Sequence, residues 1–149
     1  MSNVSQTTAA IIGFAEELED RSSAFYDELA ERWPENRDAF QTFSKEGGKN
    51  KGWVIRTYQE TISDALEANF CFEGLNLDDY TIETTLAEDA SYTDALKTAI
   101  ALEEKSCAFY QEVAKRSKSL LATIPMAFKR VAKKRDKRRL RLQSMLDQA

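Results

Sequence analysis

Histidine is absent from this chain. That removes the commonest metal ligand and the commonest general base at a stroke. Helix breakers are scarce too, with 5 Gly and 2 Pro in 149 residues, and a chain so poor in them favours helices. Two cysteines, Cys71 and Cys107, make no disulfide framework, and their simplest setting is a reducing cytosol. No apolar run approaches the ~20 residues of a membrane span, and the polar start MSNVSQTT does not read as a signal peptide, so a cytoplasmic location without membrane contact is expected. Phosphate-cradling glycine loops, paired-cysteine zinc motifs and nucleophile elbows are missing as well; the GGK at Gly47–Lys49 lacks the strand and the Ser/Thr context of a phosphate loop.

What is present fits one domain over residues 1–149, with 42% hydrophobic and 31% charged residues. The net charge of −4 hides an uneven distribution. From Lys129 to Arg141 nine Lys/Arg face one acid, Asp136, so this run carries +8 and the remainder −12.

The chain contains an internal repeat. Glu17–Arg32 (ELEDRSSAFYDELAER) and Ala101–Arg116 (ALEEKSCAFYQEVAKR) are identical at nine of sixteen positions, at an offset of 84. A single repeat of this length is what a duplicated helical hairpin leaves behind. Ile12, Ala15, Glu19, Ser22, Tyr26 and Leu29 recur at spacings of three and four and share one helical face. Leu96, Ala99, Ile100, Glu103, Cys107, Tyr110 and Val113 do the same in the second copy. A further helix carries Phe40, Phe43, Gly47, Asn50, Val54 and Tyr58 on its inner stripe, and a last one Phe128, Val131, Ala132, Arg135, Arg138, Leu142 and Met145.

These patterns predict four helices over about 8–33, 37–70, 93–119 and 125–147. Pro34 closes the first; Ser91 and Asp94 stand in capping-box spacing before the third; Thr123 and Pro125 open the fourth. Short turns join the first and last pairs, whereas residues 71–92 form a crossover long enough to run the length of a bundle. Two helical hairpins joined by one long crossover is the ferritin-like arrangement, so the expected fold class is all-α, a ferritin-like four-helix bundle.

A helix carrying Glu with Phe-Tyr six and seven residues later, twice in one chain, resembles the first and third helices of rubrerythrin-type proteins. The similarity runs from about Ala10 to Leu146. In that family each such Glu is a metal ligand and the Tyr two turns on sits beside the metals, which implies those places for Glu19 with Tyr26 and for Glu103 with Tyr110. The family's other two helices each supply Glu-x-x-His, whose i, i+3 spacing aims carboxylate and imidazole at one metal pair. Those slots align with Gly47 and Asn50 in the second helix and with Arg135 and Arg138 in the fourth. All four ligands are gone, and a slip of register recruits at best Glu46 or Asp136.

Three arrangements remain open. Arg135 and Arg138 sit one turn apart facing Glu19 and Glu103, so each guanidinium could fork onto one carboxylate and replace a metal as counter-charge, with Gly47 making room for an arginine. Both arginines could instead snorkel to water. Or a residual iron or manganese could bind through Glu19 and Glu103, with Glu16 as an extra carboxylate if that edge residue is not simply solvated. Cys107, one turn past Glu103, is either a reactive thiol beside the arginines or inert packing, the usual fate of a buried free cysteine. Tyr26 and Tyr110 read as core aromatics bonded to the nearby carboxylates.

No cofactor and no catalysis are therefore expected, and the leading expectation is a metal-free structural or partner-binding module. The alternatives are a rubrerythrin-like oxidoreductase with a reduced carboxylate site, and an adaptor whose basic fourth helix docks on nucleic acid or an acidic protein. Nucleic acid is disfavoured because the run lacks interleaved aromatics and the pI is near 5.0. Matching of charge within the bundle or between subunits is preferred, and the resemblance implies a homodimer through the first two helices or the crossover.

Overall fold

A computed structural model describes residues 5–61, 71–117 and 123–149. Four helices dominate: α1 (Thr8–Arg32), α2 (Arg37–Thr61), α3 (Tyr92–Arg116) and α4 (Thr123–Gln148). The described residues are all-α apart from one three-residue ladder, in which β1 (Ser5–Thr7) pairs antiparallel with β2 (Cys71–Glu73). Three residues are too few for a period-two signal, so the sequence pattern predicts neither strand. Cys71 accordingly lies in β2 and not at a helix end. Gly74, just beyond β2, turns the chain with φ +78, a conformation that side-chain-bearing residues rarely adopt.

Helix ends follow local chemistry. The Thr7 hydroxyl caps α1 by accepting from the Ala10 N–H at 3.1 Å. α1 stops at Arg32, one residue short of the expected end, because Trp33 precedes Pro34 and takes φ −129, ψ 75. At α3 the capping box is complete: the Asp94 N–H donates to Ser91 Oγ at 3.0 Å, and the Ser91 N–H to Asp94 Oδ2 at 3.2 Å. Tyr92 thereby joins the helix instead of the crossover. α3 ends at Arg116 and not near residue 119, and α4 runs slightly past its expected bounds at both ends. The expected continuation of α2 over residues 62–70 lies outside the described residues, as do 118 and 119.

The inner stripes are the buried ones. Phe40, Phe43, Gly47, Asn50 and Val54 of α2 are buried, as are Phe128, Val131, Arg135, Arg138 and Leu142 of α4, with Met145 half-buried; the Tyr58 side chain lies outside what is described. Rings from three helices pack edge to face, Tyr110 against Phe109 at 5.1 Å and Tyr26 against Phe43 at 5.3 Å between centroids. Each such ring adds roughly 1.5–3 kcal/mol of burial.

Helix directions can be read from the contacts. α1 packs along α2 and α3 along α4, while α2 also meets α4. Glu19 meets Tyr110 and Tyr26 meets Glu103, so α1 and α3 are antiparallel. Arg138 reaches Glu46 and Arg130 reaches Trp53, so α2 and α4 are antiparallel as well. Residues 74–91 travel across α1 and α3 between the two hairpins. Arg21 Nη2 donates to Ile82 O at 3.1 Å, Arg32 Nη2 donates to Ala87 O at 2.9 Å, and Tyr80 leans on Phe109 with ring centroids 5.9 Å apart.

Gly47 marks a close approach of α1 to α2. A Cβ there would lie 2.2 Å from Ser23 Oγ, the hydroxyl that donates to Ser44 O at 2.8 Å. The missing side chain therefore admits Ser23 and the Glu19 backbone, and not an arginine as the sequence suggests. Gly47→Ala gains up to ~1 kcal/mol of helix propensity but displaces that hydroxyl, and overpacking of this kind costs about 1–3 kcal/mol. Urea denaturation should show net destabilisation in the wild-type background. In a Ser23→Ala background the same change should lose most of its cost, and equal costs in both backgrounds would refute the close-approach explanation.

Candidate functional site: a buried ionic core

Four charged side chains meet at mid-bundle with almost no solvent contact: Glu19, Glu103 and Arg135 are 0% exposed and Arg138 3%. Buried charges persist only when paired and hydrogen-bonded, and here one guanidinium holds both carboxylates. Arg135 Nη2 donates to Glu19 Oε1 at 2.6 Å, while Nη1 donates to Glu103 Oε1 and Oε2 at 3.0 and 2.8 Å. Nη1 also reaches Ser22 Oγ at 3.0 Å. Arg138 stands at the edge of the cluster, with Nη1 3.3 Å from Glu103 Oε2 and Nη2 3.1 Å from Glu46 Oε1. Its guanidinium also lies over the rings of Tyr26 and Phe43, at 5.2 and 5.1 Å.

This differs from the expected pairing of one guanidinium with each carboxylate. The fork of Arg135 spans the gap between α1 and α3, so among the described residues Glu19 has Arg135 alone as a positive partner at salt-bridge distance, whereas Glu103 has two. Arg138 instead carries the charge outward to Glu46, whose side chain is 37% exposed. Two carboxylates and two guanidinium groups leave the buried cluster neutral.

The tyrosines bind crosswise. Tyr26 of α1 donates to Glu103 Oε2 of α3 at 2.5 Å, and Tyr110 of α3 donates to Glu19 Oε2 of α1 at 2.5 Å. Seven residues along one helix span about 10.5 Å, too far for a Tyr to reach the Glu of its own repeat. Antiparallel packing of the two copies brings each Tyr level with the other's Glu. Burial, reinforced by the adjacent carboxylate, pushes both phenols well above their ordinary value, so they remain donors. Burial alone works against charge on Arg135, but Glu103 and Glu19 outweigh it and hold the guanidinium well above its usual range.

Asn50 adds a donor to Glu19 Oε1 at 3.4 Å, while its Oδ1 and the Nε atoms of Arg135 and Arg138 have no hydrogen-bond partner among the described residues. Cys107 is packing and not an acidic thiol: Sγ lies 3.4 Å from Ala132 O, and burial raises its pKa, with Asp136 adding to the effect. Glu16 sits half-buried at the edge of the α1 stripe and takes no part in the cluster. Asp136 pairs with its own-helix neighbour Arg139 at 2.9 Å.

Sequence reasoning gave Ser22 only a place on the inner face and Glu46 only a ligand role in a slipped register. Ser22 sits on the inner stripe and recurs as Ser106 in the second repeat, which was a usable signal. Glu46 lies one position off its stripe, and only the reach of Arg138 across the interface recruits it.

The donor set does not fit a di-metal centre. All four oxygens of Glu19 and Glu103 already accept from Arg, Tyr or Asn donors, and the Arg135 guanidinium occupies the space between them. Among the described residues no group of three or more His, Cys, Asp or Glu is placed to hold a metal ion, and no helix is long and apolar enough to cross a membrane. Comparisons with protein-family models, curated proteins and solved structures give no match.

Proposed function

We propose that this chain is a ferritin-like bundle of the rubrerythrin type in which Arg135 and Arg138 have taken over the charge-balancing role of two metal ions, leaving a non-catalytic structural or partner-binding module. The observation that carries this reading is the Arg135 fork, set between Glu19 and Glu103 with Tyr110 and Tyr26 donating to the same two carboxylates. A guanidinium is permanently charged, planar and redox-inert. It supplies counter-charge and directional bonds to the carboxylates, but it has no open coordination position for peroxide or dioxygen.

Two further features support the reading. The i, i+3 spacing of Arg135 and Arg138 matches that of a Glu-x-x-His pair, so both side chains project into the same place. The antiparallel hairpins joined through residues 74–91 follow the one-crossover pattern of ferritin-like bundles.

Elemental analysis tests the proposal. Protein purified without chelators, then offered ferrous iron or manganese anaerobically, should hold less than ~0.1 metal per chain, because two guanidinium charges repel a divalent cation at such short range. Near-stoichiometric metal that is lost on Glu19→Ala or Glu103→Ala would overturn the proposal and favour an oxidoreductase reading.

A further inference from the structure

The two broad sides of the bundle carry opposite charge. Residues 71–91 contain six acids (Glu73, Asp78, Asp79, Glu83, Glu88 and Asp89) and no Lys or Arg, and they cross α1, which outside the core carries six acids against two arginines. Outside the core α4 carries seven Lys/Arg against two acids, and the sequence of its neighbour α2 has five against three. Because the crossover lies on α1 and α3 while α2 and α4 meet on the other side, the acidic and basic surfaces point away from each other. Among the described residues outside the core, the Lys51–Asp20 pair at 3.0 Å is the one ion pair that joins the two sides.

Each surface also has an apolar feature. Between α2 and α4 runs a groove of about 590 Å³ lined by Trp53, Arg56, Met126, Lys129, Arg130 and Lys133, with no acid among its described lining residues. Met126 stands out of it at 66% exposure, the most exposed large hydrophobic side chain described. Arg130 and Lys134 lie over the Trp53 ring at 4.4 and 5.0 Å, which ties the cations to the groove and caps the ring that a nucleobase would need for stacking. On the opposite side, α1 and the crossover enclose a hollow of about 330 Å³ containing Phe14, Leu77 and Tyr80, rimmed by Glu17 and Asp78. Arg21 lines it too, but its guanidinium is bonded to Ile82 O and Thr84 Oγ1.

We propose that these surfaces are the two halves of one interface between copies of this chain. Met126 of one copy enters the Phe14–Leu77–Tyr80 hollow of the next, and Lys129 and Lys133 meet Glu17 and Asp78. Because the halves lie on opposite sides of the bundle, the contact is heterologous. It adds copies head to tail and does not close as a two-fold dimer. The occupant is a second copy because this chain itself presents the surface of matching charge and shape. The attraction runs between solvent-exposed charges, so it is salt-sensitive.

Sedimentation equilibrium of the full chain tests this. The wild type should show average mass rising with concentration at low salt, with the association lost near 1 M NaCl, where the Debye length is ~3 Å. Lys129→Glu/Lys133→Glu sets acids against Glu17 and Asp78 at the contact, and Glu17→Lys/Asp78→Lys sets bases against Lys129 and Lys133, so each variant alone should be monomeric. Mixed together, the unaltered halves match and so do the two reversed halves, so association should return, with the two variants alternating along the assembly. None of these side chains belongs to the ionic core, and unchanged melting temperatures would confirm folding. A wild type that stays monomeric at low salt overturns the proposal, including one whose α4 side instead binds an oligonucleotide. A closed dimer that survives 1 M NaCl or persists in both variants overturns it too.

Discussion

Arg135→Leu should lower the stability of the bundle by about 3–5 kcal/mol, the cost of stranding a buried charge. For a chain of this size that is roughly 6–20 °C in melting temperature. The geometry makes a sharper statement than the magnitude. Glu103 keeps Arg138, but Glu19 loses its salt-bridge partner and retains only Tyr110 and Asn50 as donors. Removing the stranded carboxylate as well should help: Glu19→Leu/Arg135→Leu leaves Glu103 paired with Arg138 and should recover at least half of the loss. The residual cost comes from the orphaned Tyr110 hydroxyl, about 1–3 kcal/mol. Glu103→Leu/Arg135→Leu removes the same formal charges yet leaves Glu19 stranded, so it should remain as unstable as the single variant. Urea denaturation of the three variants decides the matter. Equal stabilities for the two doubles would show that the pairing seen here does not govern the energetics. Arg135→Lys should rescue little, because a compact ammonium lacks the planar fork that holds two carboxylates at once.

Arg135→Glu/Arg138→His should convert the core into a metal site. The change withdraws both guanidinium groups, frees oxygens of Glu19 and Glu103, and places a carboxylate and an imidazole at i, i+3 on α4. Without metal the variant should be far less stable than the wild type, since carboxylates then crowd a dry site with no cation. Manganese or cobalt at a hundred times its dissociation constant should return about 2.7 kcal/mol, read as a metal-dependent rise of roughly 5–11 °C in melting temperature. The wild type should show no such rise. Cobalt absorbance in the visible gives a second readout, independent of folding. A variant that neither gains stability nor colours with cobalt would argue against descent of this core from a di-metal centre.

Much of the fold was legible in the sequence because helical periodicity is a local signal. The stripes through Glu19 and Glu103 were readable from spacings of three and four, and Ser91 with Asp94 announced the start of α3 within a residue. Boundaries shifted where a competing effect acted, as at Trp33 before Pro34. The β1–β2 ladder escaped because its partners are more than sixty residues apart and only three residues long. In the site, charged residues on otherwise apolar stripes marked Glu19, Glu103, Arg135 and Arg138 as a group. The partner of each stayed hidden, as did the contacts of Ser22 and Glu46 with the arginines and the reason for Gly47.

By itself, then, the sequence determined that no histidine can serve as a ligand, that four amphipathic helices form, and that two carboxylates and two guanidinium groups lie on their inner faces. Rise and rotation per residue are set by backbone hydrogen bonding, so the face a side chain occupies follows from its number. Tertiary structure decided that Arg135 holds both carboxylates, that each tyrosine serves the other repeat's glutamate, that Ser23 fills the space beside Gly47, and that the acidic and basic surfaces lie back to back. Those outcomes depend on the level of one helix against another, to within about half an ångström for a hydrogen bond. That level comes from side-chain packing and from the path of the connections, which no local period encodes.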